Sequence, residues 1–527
     1  MRDQKTTLLS RILPTGIRRR SVLGLAAALG ATLLIAPGLM GSAVAKTPGT
    51  IFFGLSSYPP GYLPWENKGT ASDTVKVQVY RGLVSYSPEG KVRAEVAESW
   101  EVPNASTFVF KLRDNAYFHN GDPVTSADVK YTFEAITAKD STASMRAQFG
   151  AIKSIEVIDD KNIKFNLKEP NVTFIQYLAH RSSNIVSAKS AADPKNPIGC
   201  GPYTISKVDR GSRIELEAFD KFYKAGLPKT KKLVFNAYKD QNLRVAALEA
   251  GDVDIIEYVP WESMDAIGAN ENLVLDVVDG PFMYLVFNTK KGPFTDAKLR
   301  QAVAYGVKRS DVIAAAFFNR GRPLGGLPVP MGTEFHDAEL EGHWKQDIAK
   351  AKALMAEAGK PNGFTATLLS TAQYGMHKNT AEVVQQNLTQ IGIDVKLNLP
   401  EWATRVALGN KGQFDFAVMG TAGNFNDFDA LGRFLDDTAG ASYARSPGFI
   451  DKEINDLMAA GRQELDPAKR KAIYRKVHLR ALELAPIVTL NWRAQGYATQ
   501  KYVEGFKNMP GFLTFASGLT LENTAIK

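Results

Sequence analysis

From residue 347 onward the hydrophobic pattern switches repeatedly between a helical and a strand period. That alternation limits the possible fold more than any other feature of the chain. Ile348, Ala351, Leu354 and Met355 recur at helical spacing and stop at Gly359 and Pro361. A strand pattern follows at 365–369, a helix at 379–390, a strand at 393–397 and another strand at 414–420, which ends in a glycine-containing loop. Helices alternating with strands in this way predict parallel strands flanked by helices, an α/β architecture. The chain has 527 residues, 44% of them hydrophobic and 23% charged, enough for two or three domains with cores of their own.

The stretch Tyr80 to Glu134 has a different rhythm. Phe108, Phe110 and Leu112 point one way while Thr107, Lys111 and Arg113 intervene, the pattern of a half-buried strand. Ser87-Pro88-Glu89-Gly90 and Asn120-Gly121-Asp122-Pro123 are turns. Thr125-Ser126-Ala127-Asp128 then opens an amphipathic helix through Val129, Phe133 and Ile136, with Thr125 or Ser126 as N-cap and Asp128 close to the positive end of the helix dipole.

Residues 1–45 are a leader. Arg18-Arg19-Arg20-Ser21-Val22-Leu23-Gly24 has the form of a twin-arginine export motif, no charge occurs from Ser21 to Ala45, and Ala43-Val44-Ala45 is a small-x-small cleavage site. The alternative, an uncleaved membrane anchor, is disfavoured by Gly24, Gly30, Pro37, Gly38 and Gly41, which make a poor spanning helix. The leader holds six Lys/Arg and one Asp, so the formal charge of +9 falls to +4 in the remainder, where 58 basic face 54 acidic residues. Such a thin, dispersed excess excludes a nucleic-acid surface as the organising feature. Cys200 is the single cysteine, so the mature chain has no disulfide and no cysteine after the cleavage site to carry a lipid. With no His or Asp partner near it in sequence, it reads as a small buried residue.

The combination within Tyr80–Glu134 resembles the extracytoplasmic solute-binding proteins of the peptide/opine/nickel class (family 5) of ABC importers. The residues that carry the resemblance are Arg81-Gly82-Leu83, Ala97-Glu98-Ser99-Trp100, Leu112-Arg113, Phe118-His119 and the run Gly121–Val129. Asn196-Pro197-Ile198-Gly199-Cys200-Gly201-Pro202-Tyr203 resembles a second landmark of that family, with Cys200 where Thr is usual. The helix-Gly-Asp-x-Asp-strand unit at 240–257 matches a third. Leu285-Val286-Phe287-Asn288, Gly292–Asp296 and Leu299–Ala304 match a fourth, where the family's chain crosses into its second lobe.

The resemblance implies an α/β, two-lobed periplasmic-binding-protein fold of class II type, with mixed sheets flanked by helices. Its expected parts are a first lobe at 46–282 with an inserted subdomain at about 76–191, a second lobe at 283–489, and a return segment at 490–527. It also implies a monomer that closes about a hinge on a small solute and docks on the ABC permease subunits of the inner membrane. Without a lipid anchor, such a protein needs an outer membrane to retain it, so the expected location is the periplasm of a Gram-negative bacterium.

No catalytic chemistry stands out. There is no G-x-S-x-G, phosphate loop, H-E-x-x-H or paired-cysteine metal spacing, and the six His are dispersed. His119 reads as a structural hydrogen-bonder, and acids such as Glu95, Glu98, Asp252 and Asp254 read as solvated faces or caps. The expectation is a non-enzyme with no cofactor, metal or nucleic-acid partner. A secreted enzyme or sensory co-receptor on the same shell is the rival of another class.

The solute class is read from departures. Peptide-binding relatives carry an Asp in the loop G-W-x-x-D-x-x-D-P-D that neutralises the peptide ammonium. Here Asn424 stands at that position and Thr421 at the Trp position. An ammonium facing a neutral amide loses a charge-assisted bond, on the order of a few kcal/mol. Ser370–Lys378 lacks the Arg that dipeptide binders use for the carboxylate, and offers only His377 and Lys378. What the presumed seam does offer is aromatic rings, amides and two arginines. The candidate ligand residues are Tyr58, Trp402, Arg405, Asn424, Phe425, Asp427, Trp492 and Arg493. Each ring could equally be core. The solute expected is a peptide, or a peptide-like or opine conjugate. An oligosaccharide or glycoconjugate is the alternative, with nickel or haem less favoured.

Overall fold

Two long strands, Leu273–Phe287 and Ile487–Gln500, run antiparallel through the middle of one large sheet and belong to both halves of the protein. The computed structural model describes residues 49–66, 69–190, 198–437 and 442–527. The leader with its cleavage site, and Asn196-Pro197 of the second landmark, lie outside them.

Along the two strands the neighbours change. At one end Ile487–Gln500 is flanked by Ile255–Glu257, beyond which come Thr50–Leu55 and Lys232–Ala237 in parallel, then Arg213–Ala218 and Tyr203–Asp209 antiparallel. At the other end Leu273–Phe287 is flanked by Phe416–Thr421, then Phe364–Leu369 and Ile393–Asn398. These last three strands are mutually parallel, as the helix–strand alternation predicts. Between the ends the register slips at Asp279/Phe282. Gly280 lies in the slip, and a Cβ there would come within 2.0 Å of the Gly511 carbonyl oxygen, so the chain passes only because the side chain is missing. The result is the two-lobed α/β fold with mixed sheets.

A separate four-stranded antiparallel sheet is ordered Ala97–Asn104, Thr107–Leu112, Asn162–Leu167, Ile152–Val157. Phe108, Phe110 and Leu112 are buried, on the face the alternation assigns them. They pack with helix Ser126–Thr137, whose Phe133 meets Phe165 and Phe149 edge-to-face at 5.2 and 4.9 Å. Thr125 is the N-cap, and its amide donates to Asp128 Oδ2 at 2.9 Å, closing a capping box.

His119 ties two landmarks together. Its Nδ1 accepts from the Gly199 amide at 3.4 Å and its Nε2 lies 3.1 Å from the Gly201 carbonyl oxygen. That arrangement needs a neutral ring, and burial pushes its pKa down to about 4. Cys200 beside it is buried, and desolvation pushes its thiol up to about 12.

Two acids depart from the expectation of solvated faces or caps. Glu95 is fully buried and paired with Lys224 at 2.8 Å and Arg93 at 3.1 Å, within a cluster that includes Arg81 and Glu522. Asp254 is also fully buried, accepting from the Phe52 amide at 2.8 Å and the Tyr502 hydroxyl at 2.7 Å. Apart from Arg93, two residues from Glu95, the partners named here lie far away in sequence, so local pattern does not announce the burial. Helix Gly375–Thr389 begins four residues before the expected Asn379. The extra turn looks polar in sequence, yet it carries the buried His377. Among the described residues no helix is long and apolar enough to cross a membrane.

Candidate functional site

Where the two long strands cross between the lobes, two arginines are buried without an acid partner among the described residues. Helix Trp402–Asn410 starts on Glu401, whose carboxylate accepts from the Ala403 and Thr404 amides at 3.0 and 2.8 Å. One turn in, Arg405 points inward and is fully buried. Its Nη2 donates to the Val418 carbonyl oxygen at 2.6 Å and to Met419 Sδ, while Nε and Nη1 have no partner among the described residues. The guanidinium carbon lies 5.2 Å from the Trp402 ring centre and 5.3 Å from that of Tyr443.

Arg493 comes from the return strand and is 3% exposed. Its Nη1 lies 3.3 Å from Met376 Sδ, its side chain hydrogen-bonds Tyr258, and its Nε has no partner among the described residues. Among the described residues neither arginine has a carboxylate partner, and burial lowers the pKa of both. Asn491 and Gln495 flank Arg493 at two-residue spacing on the same strand, and each buries a side-chain oxygen with no partner among the described residues.

His377 joins the group. Its ring lies 5.6 Å from Trp402 and its Nδ1 is buried without a partner. Burial, reinforced by the nearby charges of Arg405 and Arg493, pushes its pKa down to about 3, so it is neutral at ordinary pH. Tyr258 faces this group from the first lobe with φ +52°, a left-handed conformation that a bulky residue adopts at a cost. It is held there by stacking on Phe515 at 5.8 Å and by its carbonyl accepting from Arg244 Nη2 at 2.8 Å.

A second group lies where the four-stranded sheet's subdomain meets the second lobe. Asn424 Oδ1 accepts from Arg433 Nη1 at 3.3 Å, and its Nδ2 is 3.5 Å from Met145 Sδ. The Phe425 ring is 5.5 Å from Tyr177. A cavity of about 180 Å³ opens here, bordered by Gln148, Asn171, Tyr177, Asn424, Phe425 and Arg433. Gln148 Oε1 is buried with no partner. The adjoining Gly423 admits no side chain, since a Cβ would lie 2.2 Å from the Phe512 ring.

The structure thus brings Trp402, Arg405 and Arg493 together, and places Asn424 and Phe425 on the second cavity. The other three candidates have structural partners. Asp427 accepts from Arg470 Nη1 and Nη2 at 2.8 and 2.7 Å and caps the turn at Asp429. The Trp492 indole donates to Glu341 and its ring packs on Phe282 and Phe512, on the opposite side of the strand from Arg493. Tyr58 packs with the first-lobe core beside Tyr62. Local reading missed Tyr258, Asn491, Gln495 and Gln148. His377 was visible only as one of two cationic residues in its stretch. None of the five has a motif, and only convergence in space marks them.

The profile of the bacterial extracellular solute-binding proteins, family 5 Middle, matches residues 91–442. The glutathione-binding protein GsiB of Pectobacterium atrosepticum is 27% identical over 467 residues, covering 85% of this chain and 90% of that protein. The solved structure of the binding protein AgaA from Agrobacterium tumefaciens R10, in complex with agropinic acid, superposes with a TM-score of 0.83 at 44% identity, covering 91% of this chain and 99% of that one. DppA from Helicobacter pylori, in complex with the peptide STSA, shares the fold with a TM-score of 0.80 at 22% identity, covering 91% and 98%. The chain therefore belongs to the bacterial extracellular solute-binding proteins of family 5, the solute-capturing components of ABC importers.

Proposed function

We propose that this protein captures an acidic solute of the opine or peptide-like class between its lobes and hands it, unaltered, to a membrane permease. The observation that carries this reading is the pair Arg405 and Arg493, both buried, both with unused N–H donors, and neither with a carboxylate partner among the described residues. A buried cation without a counter-charge costs several kcal/mol. Closure without solute therefore works against this cost, and a carboxylate that supplies the missing charge shifts the population toward the closed form. The unpaired oxygens of Asn491 and Gln495 suit hydroxyl or N–H donors on the same molecule. The 44% identical relative bound to agropinic acid supports an acid of that kind, and the glutathione-binding relatives support a peptide-like one.

The crossing strands, with their register slip at Asp279/Phe282, serve as the hinge in this reading. The leader, cleaved after Ala45, directs a monomer to the periplasm. The test is titration calorimetry of the mature protein with agropinic acid, glutathione, a neutral sugar and a neutral blocked peptide. Binding of an acid, weakened at least tenfold in Arg405→Gln or Arg493→Gln, supports the assignment. Binding of the neutral compounds alone overturns it, and conversion of any solute points instead to an enzyme.

A further inference from the structure

We propose that Met376 is a site of oxidative modification: a peroxide converts its thioether to the sulfoxide, and the new oxygen seats on the Arg493 guanidinium.

The nine methionines among the described residues differ sharply in exposure. Seven are buried, Met331 is 54% exposed, and Met376 is only partly buried. Oxidation of methionine sulfur follows access, so Met331 and Met376 are the two open to a peroxide. Met419 touches Arg405 through its sulfur in a similar way, but at 2% exposure it is shielded. Cys200 does not compete. It is buried, and desolvation keeps its thiol protonated, whereas the reactive form is the thiolate.

What separates Met376 from Met331 is the group waiting for the oxygen. Met376 Sδ lies 3.3 Å from Arg493 Nη1. A thioether is a weak acceptor, so this donor is poorly served, and Arg493 Nε has no partner among the described residues. Met376 also lies in the first turn of helix Gly375–Thr389, whose positive end favours negative charge. Among the described residues no carboxylate competes for the guanidinium.

The step balances with hydrogen peroxide as oxidant. The sulfur lone pair attacks one peroxide oxygen, an S–O bond forms as the O–O bond breaks, and the departing hydroxide takes the remaining proton and leaves as water. Sulfur loses two electrons and the peroxide gains them. The sulfoxide oxygen carries negative charge beside a cation, so a charge-assisted hydrogen bond replaces a weak contact. A further consequence rests on the reading that Arg493 holds the solute's acid group: the same oxygen occupies donors the solute needs, and capture falls.

Peptide mass spectrometry of the mature protein after hydrogen peroxide treatment tests the site. Met331 and Met376 are expected to oxidise at least tenfold faster than the buried methionines, and a Met376 as slow as those overturns the proposal. The seat is tested by thermal unfolding of Met331→Leu, in which Met376 is the accessible sulfur that remains. Oxidation is expected to leave the unfolding temperature unchanged or higher, and to lower it once Arg493→Leu is added. An equal fall with and without Arg493 overturns the seat. Calorimetry with agropinic acid and glutathione tests the consequence. Whichever acid binds should bind oxidised Met331→Leu at least tenfold more weakly, and recover after methionine sulfoxide reductases A and B with dithiothreitol. Met376→Leu should bind it equally before and after peroxide. Affinity untouched by oxidation overturns the blocking of Arg493. If neither acid binds, the acidic-solute reading fails, while mass spectrometry and unfolding still decide the modification and its seat.

Discussion

The Tyr177 hydroxyl, carried by helix Phe174–Leu178, donates to the Asp429 carboxylate across 252 residues of chain. The same carboxylate holds Arg462, and the Arg462 carbonyl oxygen accepts from the Val172 amide at 2.9 Å. Two elements that face each other across the seam are thus tied at two points, and the Arg462–Asp429 pair links the two. Tyr177→Phe removes one tie without changing the ring that packs on Phe425. A hydrogen bond to a charged group contributes about 1.5–3 kcal/mol, so solute affinity should fall roughly tenfold or more, through faster release. Stopped-flow dissociation rates check this, and an unchanged rate would place the bond outside the closing step.

Arg405→Gln should move affinity and stability in opposite directions. Acidic solute loses its counter-charge and binds at least tenfold more weakly, about 1.5–3 kcal/mol. The unliganded protein is relieved of a buried, unpaired charge and should unfold at the same or a higher temperature. Calorimetry paired with thermal unfolding checks both. Lower stability together with intact affinity would make Arg405 a packing residue.

Asp427→Ala should do the reverse. It leaves Arg470 buried with its bidentate partner gone, which costs about 3–5 kcal/mol of stability. In the double variant Asp427→Asn with Arg470→Met, much of that loss should be recovered, with solute affinity close to that of the parent. Urea unfolding and calorimetry on the two variants check this. A large, unrecovered loss of affinity would make Asp427 a ligand residue.

Stability should fall as the medium is acidified. Burial holds His377 and His478 at pKa values of about 3 in the folded state, against an ordinary value of 6.5. Between those values the unfolded chain binds the proton and the folded one does not. Each ring's contribution is therefore complete above pH 6.5 and is lost as pH drops toward 3, by about 1.4 kcal/mol per pH unit. His478 Nε2 accepts from the Leu327 amide at 2.9 Å, a bond the protonated ring cannot make. His478→Gln, which can still accept from that amide, should flatten the slope between pH 6.5 and 4.5 in urea unfolding. An unchanged slope would show that this ring is protonated in the folded protein.

Much of the framework was legible in the amino-acid sequence because its causes are local. The helix start at Thr125 or Ser126, the inward face of Phe108, Phe110 and Leu112, and the parallel strands from 364 to 421 follow from spacings of two, three or four residues, while the choice of Thr125 as cap came from the structure. The family landmarks are likewise contiguous runs. What only the tertiary structure decided is which charged groups have partners. Glu95 reads as a surface acid until Lys224 arrives from 129 residues away, and the pairing of Asp427 with Arg470 is equally invisible in sequence. Arg405 and Arg493 look no different in sequence from Arg470. That neither has a carboxylate partner among the described residues becomes visible only in the folded chain, because pairing is set by distance in space rather than by position along the chain.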